Sequence, residues 1–364
     1  FHPKPFLSFQ KAMYKPASTY RIQFNKDFNF KKLRGIIPYL KNLGIDTIYA
    51  SPIFAAIPGS THGYDTVNPL IVNPEIGTEE ELLEISGLLN EASIGWLQDI
   101  VPNHMAFHPD NGWLMDVLKN GEKSPYVSYF DLDLEQGKLM VPFLDGSLED
   151  AMSDNKIKVT KTKTDYFLND GAAEWPINEQ GLSLISGRKL TEINKNKDLL
   201  SRIIDRQHYR LCDWQETNSK INYRRFFTVN ALICLNIQHK EVFDAYHRYI
   251  FELVRKGIFN GLRIDHIDGL YNPKKYLDQL KAELGEQVYV VVEKILAIDE
   301  KLEKNWNCAG TTGYDFLAMS KNLSTNIIAK KPFDKLYGKI TGKEQNAKAL
   351  VTEKKRHILS KYMQ

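Results

Sequence analysis

The sequence predicts an α/β fold assembled from parallel strands, and three observations carry that prediction. Short apolar strands alternate with amphipathic helices at about 25- to 50-residue spacing, the βα rhythm of a parallel sheet or barrel. Several strands end on polar or ring-bearing side chains, as strands do at the active face of a barrel. Two of them, Gly261-Leu262-Arg263-Ile264-Asp265-His266 and Tyr289-Val290-Val291-Val292-Glu293, each carry a carboxylate at the C-terminal end, Asp265 and Glu293, 28 positions apart.

A Pro- and Lys-bearing arm runs to about residue 17 and gives way to an alternating strand at Thr19–Phe24. Phe30 to Leu43 reads as an amphipathic helix, with Leu33, Ile36, Ile37 and Leu40 at helical spacing and Gly44 as the stop. Pro38 inside it predicts a kink or a shortened helix. A second strand, Ile45–Ala50, leads into the loop Pro58-Gly59-Ser60-Thr61-His62-Gly63-Tyr64-Asp65. Thr78 and Glu81 form a capping-box pattern ahead of a helix over 79–90. The third strand, Ile94–Val101, ends at Pro102-Asn103-His104.

Between about 105 and 220 the rhythm breaks into aromatic-rich irregular stretches, a strand candidate at 139–143, a lysine-rich segment at 156–163 and a helical pattern over 199–211. Helices at about 241–256 and 274–284 then flank the Asp265 strand and precede the Glu293 strand. From Tyr314 onward the pattern is polar, lysine-rich and helical. The expected organisation is residues 1–104 as the first three βα units, 105–220 as an inserted irregular and helical subdomain, 221–318 as strands four and five, and 319–364 as a helical polar segment. The fold class is a (β/α)8 barrel of the TIM type, incomplete here with about five βα units where closure needs eight. Only 71 residues follow Glu293, too few for three more units, and the chain opens on Phe1 rather than methionine, so further segments are expected at both ends.

With 43% hydrophobic and 26% charged residues the composition is that of a globular enzyme. A net charge of +3 from 48 basic and 45 acidic side chains argues against nucleic acid or a membrane surface as partner. An aromatic content of 11% offers stacking rings for a sugar, although rings also fill cores. Cys212, Cys234 and Cys308 are odd in number and free of metal-type spacing, which fits a reducing cytoplasm. There is no apolar run of 18 residues and no leader pattern.

Four strand ends converge on one rim: His62, Tyr64 and Asp65; Asp99 and His104; Arg263, Asp265 and His266; and Glu293. Taken singly, each reads equally well as a turn or a strand-end ion pair. Together they predict a site. Period-2 alternation puts Arg263 and Asp265 on one strand face, so the guanidinium is expected to keep Asp265 ionised and fit to act as nucleophile. Glu293, closing a Val-Val-Val run, is expected to be the proton donor. Such a pair is the equipment of a retaining glycoside mechanism. Neither a nucleophile elbow nor a phosphate-binding loop nor a dinucleotide fingerprint is present, and no metal or cofactor is expected. A calcium at Asn103 has no cluster of acidic residues behind it.

Asp99-Ile100-Val101-Pro102-Asn103-His104, the Asp265 strand and the Glu293 strand resemble three of the four signature regions of the α-amylase family of glycoside hydrolases. One subfamily is matched more closely, through Ser51-Pro52, the 58–65 loop, Asn222-Tyr223-Arg224-Arg225-Phe226-Phe227, Asp265-His266-Ile267-Asp268-Gly269-Leu270 and Gly310-Thr311-Thr312-Gly313-Tyr314-Asp315-Phe316. The resemblance implies Asp265 as nucleophile and Glu293 as acid/base. It also implies that Tyr64 stacks on the sugar, that Asp65 binds its hydroxyls, and that His104, Arg263 and His266 hold the reacting ring or the nucleophile. The implied reaction moves the reducing-end α-1,4 bond of a maltooligosaccharide to an α,α-1,1 bond. A hydrolase of the same family and a silent α-glucan-binding protein are the alternatives. Lys220, Thr228 and Ala231 depart from the subfamily pattern, and the fourth signature region is absent. The 364 residues alone are therefore expected to be inactive or nearly so.

Overall fold

The computed structural model describes residues 14–343 and 346–362, so residues 1–13 of the expected N-terminal arm lie outside it. Six strands form the central sheet: β1 (Thr19–Ile22), β2 (Thr47–Ala50), β3 (Gly95–Ile100), β4 (Gly261–Ile264), β5 (Tyr289–Val292) and β6 (Gly310–Thr311). Every pairing is parallel, and the spatial order is the chain order. This is the first part of a TIM-type barrel, open here between β1 and β6. The five expected strands are present. The sixth, two residues long, is too short to leave a periodic signal.

The middle strands of the sheet are built from apolar runs because little of them meets solvent. β3 is buried along its whole length. Its Trp96 stacks on Phe24 at 6.0 Å, meets Phe30 edge-on at 6.3 Å and lies 5.8 Å from Phe259. Burial of such a ring stabilises by about 2–3 kcal/mol. Helix α1 (Phe30–Asn42) starts where the Asn29 side chain accepts from the Lys32 N–H, and it buries Phe30, Leu33, Ile37 and Leu40. It continues past Pro38 to Asn42, because buried Ile37 and Leu40 anchor the turns on either side of the missing donor. Helix α2 (Glu79–Glu91) carries the expected Thr78–Glu81 capping box and packs on α1.

Between Ile100 and Gly261 the chain adds nothing to the central sheet and forms small sheets of its own. His104–Ala106 pairs antiparallel with Leu232–Cys234, and Leu139–Leu144 pairs parallel with Tyr209–Asp213. The helix expected over 199–211 stops at Asp205, and Tyr209–Asp213 is a strand. The apolar residues Leu211 and Cys212 serve that pairing rather than a helix face. The sheet resumes with helix α3 (Lys240–Arg255), β4, helix α4 (Pro273–Leu284) and β5. Three helices after β6, at Tyr314–Leu323, Lys330–Thr341 and Ala347–Tyr362, leave Phe316, Leu323, Phe333 and Ile340 exposed. Among the described residues no helix is long and apolar enough to cross a membrane.

Candidate active site

The parallel register determines which side chains meet. Asp99 on β3 is the direct partner of Arg263 on β4, and Arg21 on β1 is the partner of Tyr49 on β2. The Asp99 side chain is fully buried, and four donors converge on it. Arg263 Nη1 lies 2.8 Å from Oδ1, while the Tyr64 hydroxyl at 2.6 Å, the Tyr49 hydroxyl at 3.0 Å and Arg21 Nη1 at 3.3 Å share Oδ2. Arg21 also donates to the Tyr64 hydroxyl at 2.9 Å and lies over the Tyr49 ring at 4.2 Å. Burial and the Asp99 charge raise both tyrosine pKa values well above their ordinary range, so both stay protonated as donors. A buried carboxylate with this many charge-assisted bonds is a rigid brace.

One strand-pair further along the rim, the main chain carries Asp265 and Glu293 just past the strand ends. The Asp265 N–H donates to Ile100 O at 2.9 Å, and the Glu293 N–H to Ile264 O at 2.8 Å. Arg263 Nη1, already on Asp99, also donates to Asp265 Oδ1, while Leu262 and Ile264 turn into the core. The alternation on this strand is therefore as expected. The electrostatic outcome differs. Burial pushes the Asp265 carboxyl up to about 6, Arg263 pulls it down less strongly, and Asp99 and Glu293 add to the rise. Sequence proximity counted the guanidinium but neither the desolvation nor the second carboxylate that shares it. At neutral pH a group with a pKa of about 6 is still mostly ionised. Arg263 itself is raised: burial opposes its charge, and Asp99, Tyr49 and Asp265 outweigh it.

His266 follows in a left-handed conformation (φ 50°), which aims its N–H at Glu293 Oε2, 3.1 Å away. A Cβ on Gly269 would strike the His266 ring, so any larger residue there would have to displace that ring. Asn103 Nδ2 holds the Gly269 carbonyl at 2.8 Å. His104 is buried 4.4 Å from the Phe226 ring, and burial first, then the nearby His266, lowers its pKa to about 3. It is a neutral imidazole with Nδ1 3.4 Å from Asn103 Oδ1; among the described residues its Nε2 has no hydrogen-bond partner of good geometry.

The 58–65 loop reaches the rim through Tyr64. Gly63 (φ 79°) lies so close to Pro52 that a Cβ would stand 2.5 Å from the Pro52 carbonyl oxygen. His62 lies 5.9 Å from the Tyr64 ring, and its Nδ1 accepts from the Tyr64 N–H at 3.1 Å. Asp65 is turned into its own loop, bonded to the Ser60 hydroxyl at 2.5 Å and 3.8 Å from His62. Tyr64, Asp99, Arg263 and Asp265 thus form one connected network; Glu293, His266, His104 and Phe226 form a second group beside it, and His62 and Asp65 stand at the edge. Sequence reasoning missed Arg21 and Tyr49, which alternate with the buried Ile22 and Ile48 on strands one and two and so lie on the opposite strand face.

Residues 25–178 match the family described as Alpha amylase, catalytic domain. A putative maltooligosyl trehalose synthase of Mycobacterium tuberculosis is 37% identical over 309 residues, which is 82% of this chain and 37% of that protein. The solved maltooligosyltrehalose synthase of Arthrobacter ramosus superposes with a TM-score of 0.85 at 35% identity, over 96% of this chain and 44% of the other. A hypothetical maltooligosyl trehalose synthase of Sulfolobus tokodaii gives 0.82 at 36%, over 96% and 44%. The chain thus spans just over a third of the length of the curated relative it matches. With its parallel sheet, its paired carboxylates at neighbouring strand ends and these relatives, the chain belongs to the α-amylase family and is similar over most of its length to maltooligosyl trehalose synthases.

Proposed function

We propose that the gene product carrying these residues is an intramolecular transglucosylase that turns the reducing end of a maltooligosaccharide into an α,α-1,1-linked pair. One observation carries this reading: Asp265 and Glu293 stand one residue past adjacent parallel strands, close enough for the Glu293 charge to raise the Asp265 carboxyl. The resemblance to the synthases supports the choice of substrate. In the proposed cycle the Asp265 carboxylate attacks the anomeric carbon at the last α-1,4 bond, and Glu293 gives its proton to the departing O4. The released glucose turns over without leaving. Its anomeric hydroxyl then attacks the glycosyl-Asp265 ester, and the Glu293 carboxylate takes the proton back. Two inversions at the glycosyl carbon retain its α-configuration.

Arg263 aims Asp265, and Asp99 holds Arg263 in place. Tyr64 offers its ring to the sugar, His104 and His266 offer neutral imidazoles, and His62 and Asp65 shape the loop that presents Tyr64. His266 is kept toward its neutral form by burial, against the pull of Glu293 and Asp268. The partner is an α-1,4-glucan, and the free Cys212, Cys234 and Cys308 suit a reducing compartment such as the cytoplasm.

Maltopentaose separates the readings. The full-length gene product should consume reducing ends without shortening the chains, and the 364-residue chain, with its sheet open at both edges, should give no turnover. A gain in reducing ends would mark a hydrolase, and vigorous conversion by the 364-residue chain would disprove the need for the later strands.

A further inference from the structure

Lys294, the residue after Glu293, joins the two loops that follow β4 and β5. Its side chain is only 12% exposed, and its Nζ stands 3.1 Å from both carboxylate oxygens of Asp268 and 2.8 Å from Glu300 Oε1. Asp268 belongs to the turn Ile267–Gly269, directly after His266. Glu300 closes the loop beyond Glu293: its other oxygen accepts from the Ala297 N–H at 3.0 Å, and its own N–H donates to the Ala297 carbonyl at 3.1 Å. The bond to Glu300, against the pull of burial, and then the bonds to Asp268 raise the Lys294 pKa, so the ammonium stays charged.

Ion pairs with half-exposed partners add little to stability, so the interest lies in what this one connects. The turn after His266 is held on one side by Asn103 Nδ2 and Arg224 Nη1, which both donate to the Gly269 carbonyl, at 2.8 and 3.0 Å. Those two bonds come from chain that precedes β4. Lys294 supplies the hold from β5, the strand that leads into Glu293. Between the two holds, His266 adopts its left-handed conformation and aims its N–H at Glu293 Oε2. A left-handed residue other than glycine persists where its surroundings over-determine it, and Asp268, two residues on, is one point at which they do.

We infer that Lys294 is a positioning residue that sets how Glu293 stands against Asp265, by clamping the Asp268 turn to the loop after β5. It acts through Asp268 and Glu300 rather than on the substrate. The inference rests on Asp265 and Glu293 as the reacting pair of the proposed function. A double displacement uses that pair twice, with one carboxylate attacking while the other moves a proton, so the separation between them must hold through both steps.

Lys294→Met removes the ammonium and keeps most of the stem. In the full-length gene product it should lower kcat for maltopentaose by about 100-fold, the scale of a roughly 1 Å misplacement of a reacting group. KM should stay within about twofold of the parent value. The thermal midpoint should shift by less than about 2 °C, because Asp268 and Glu300 are half-exposed. Lys294→Arg keeps a cation between the two carboxylates and should recover most of kcat. Asp268→Asn should cost a similar factor, and the double variant should be no slower than either single one. A kcat for Lys294→Met within about threefold of the parent, or losses that multiply in the double variant, would overturn the clamp. Net hydrolysis by the parent, with the same losses in the Lys294 and Asp268 variants, would sink the transglucosylase reading and leave the clamp standing. A parent that neither isomerises nor hydrolyses maltopentaose would sink both.

Discussion

Asp265→Asn in the full-length gene product should lower turnover of maltopentaose by at least about 10⁴-fold, the scale seen when a nucleophile is removed from a coupled active site. Binding should persist, because the amide keeps the shape of the carboxylate and Arg263 retains Asp99 as its partner. The same substitution should stabilise the protein, with a pH dependence of known sign. The folded carboxyl titrates near 6 against an ordinary value of 3.8. Below about pH 4 both the folded and the unfolded forms are protonated, and Asp265 carries no penalty. Between about 4 and 6 the folded state retains a proton that the unfolded chain has released, so stability falls as pH rises. Above that window the penalty is complete. The thermal midpoint of the variant should therefore exceed that of the parent by a few degrees at pH 7.5, with the gap closing toward pH 4. A gap that widened in acid would mean that Arg263 dominates the carboxyl after all. Loss of stability without loss of turnover would remove Asp265 from the chemistry.

Asp99→Ala should be the most damaging change to the fold at this rim. Its side chain is fully buried beneath two guanidinium groups and two hydroxyls, and Arg263 itself is only 6% exposed. Removing the carboxylate leaves a buried cation held only by Asp265 and strands the tyrosine hydroxyls, at a cost of about 3–5 kcal/mol. Denaturant titration of the 364-residue chain should show the midpoint fall with an unchanged slope. Asp99→Asn should recover part of the loss by accepting some of the same hydrogen bonds. A loss below about 1 kcal/mol for Asp99→Ala would mean that the cluster is solvated and braces nothing.

Much of this site could be read in advance because strand ends advertise themselves. Asp265 and Glu293 each close an apolar run, and period-2 alternation put Arg263 and Asp265 together. The less visible parts depend on relations across the sheet. Arg21 precedes Asp99 by 78 residues and meets it only because strands one to three lie side by side. Burial set the Asp265 titration, and burial is a property of what covers a residue rather than of its sequence neighbours. The strand at Gly310–Thr311 is too short for any pattern, and Leu199–Leu211 looked helical because apolar spacing over a dozen residues serves a helix and a following strand alike.

The agreement between spatial and chain order in the central sheet has a consequence for synthesis on the ribosome. Each strand after β1 emerges to find the neighbour that precedes it in the chain already in place, so pairing across this sheet can follow the order of synthesis. Arg21, Tyr49, Tyr64 and Asp99 can lock together before the strand bearing Arg263 is translated. The acidic group that braces the site is thus built as a socket first, and the strand bearing Arg263 docks its guanidinium into a charge already held in position.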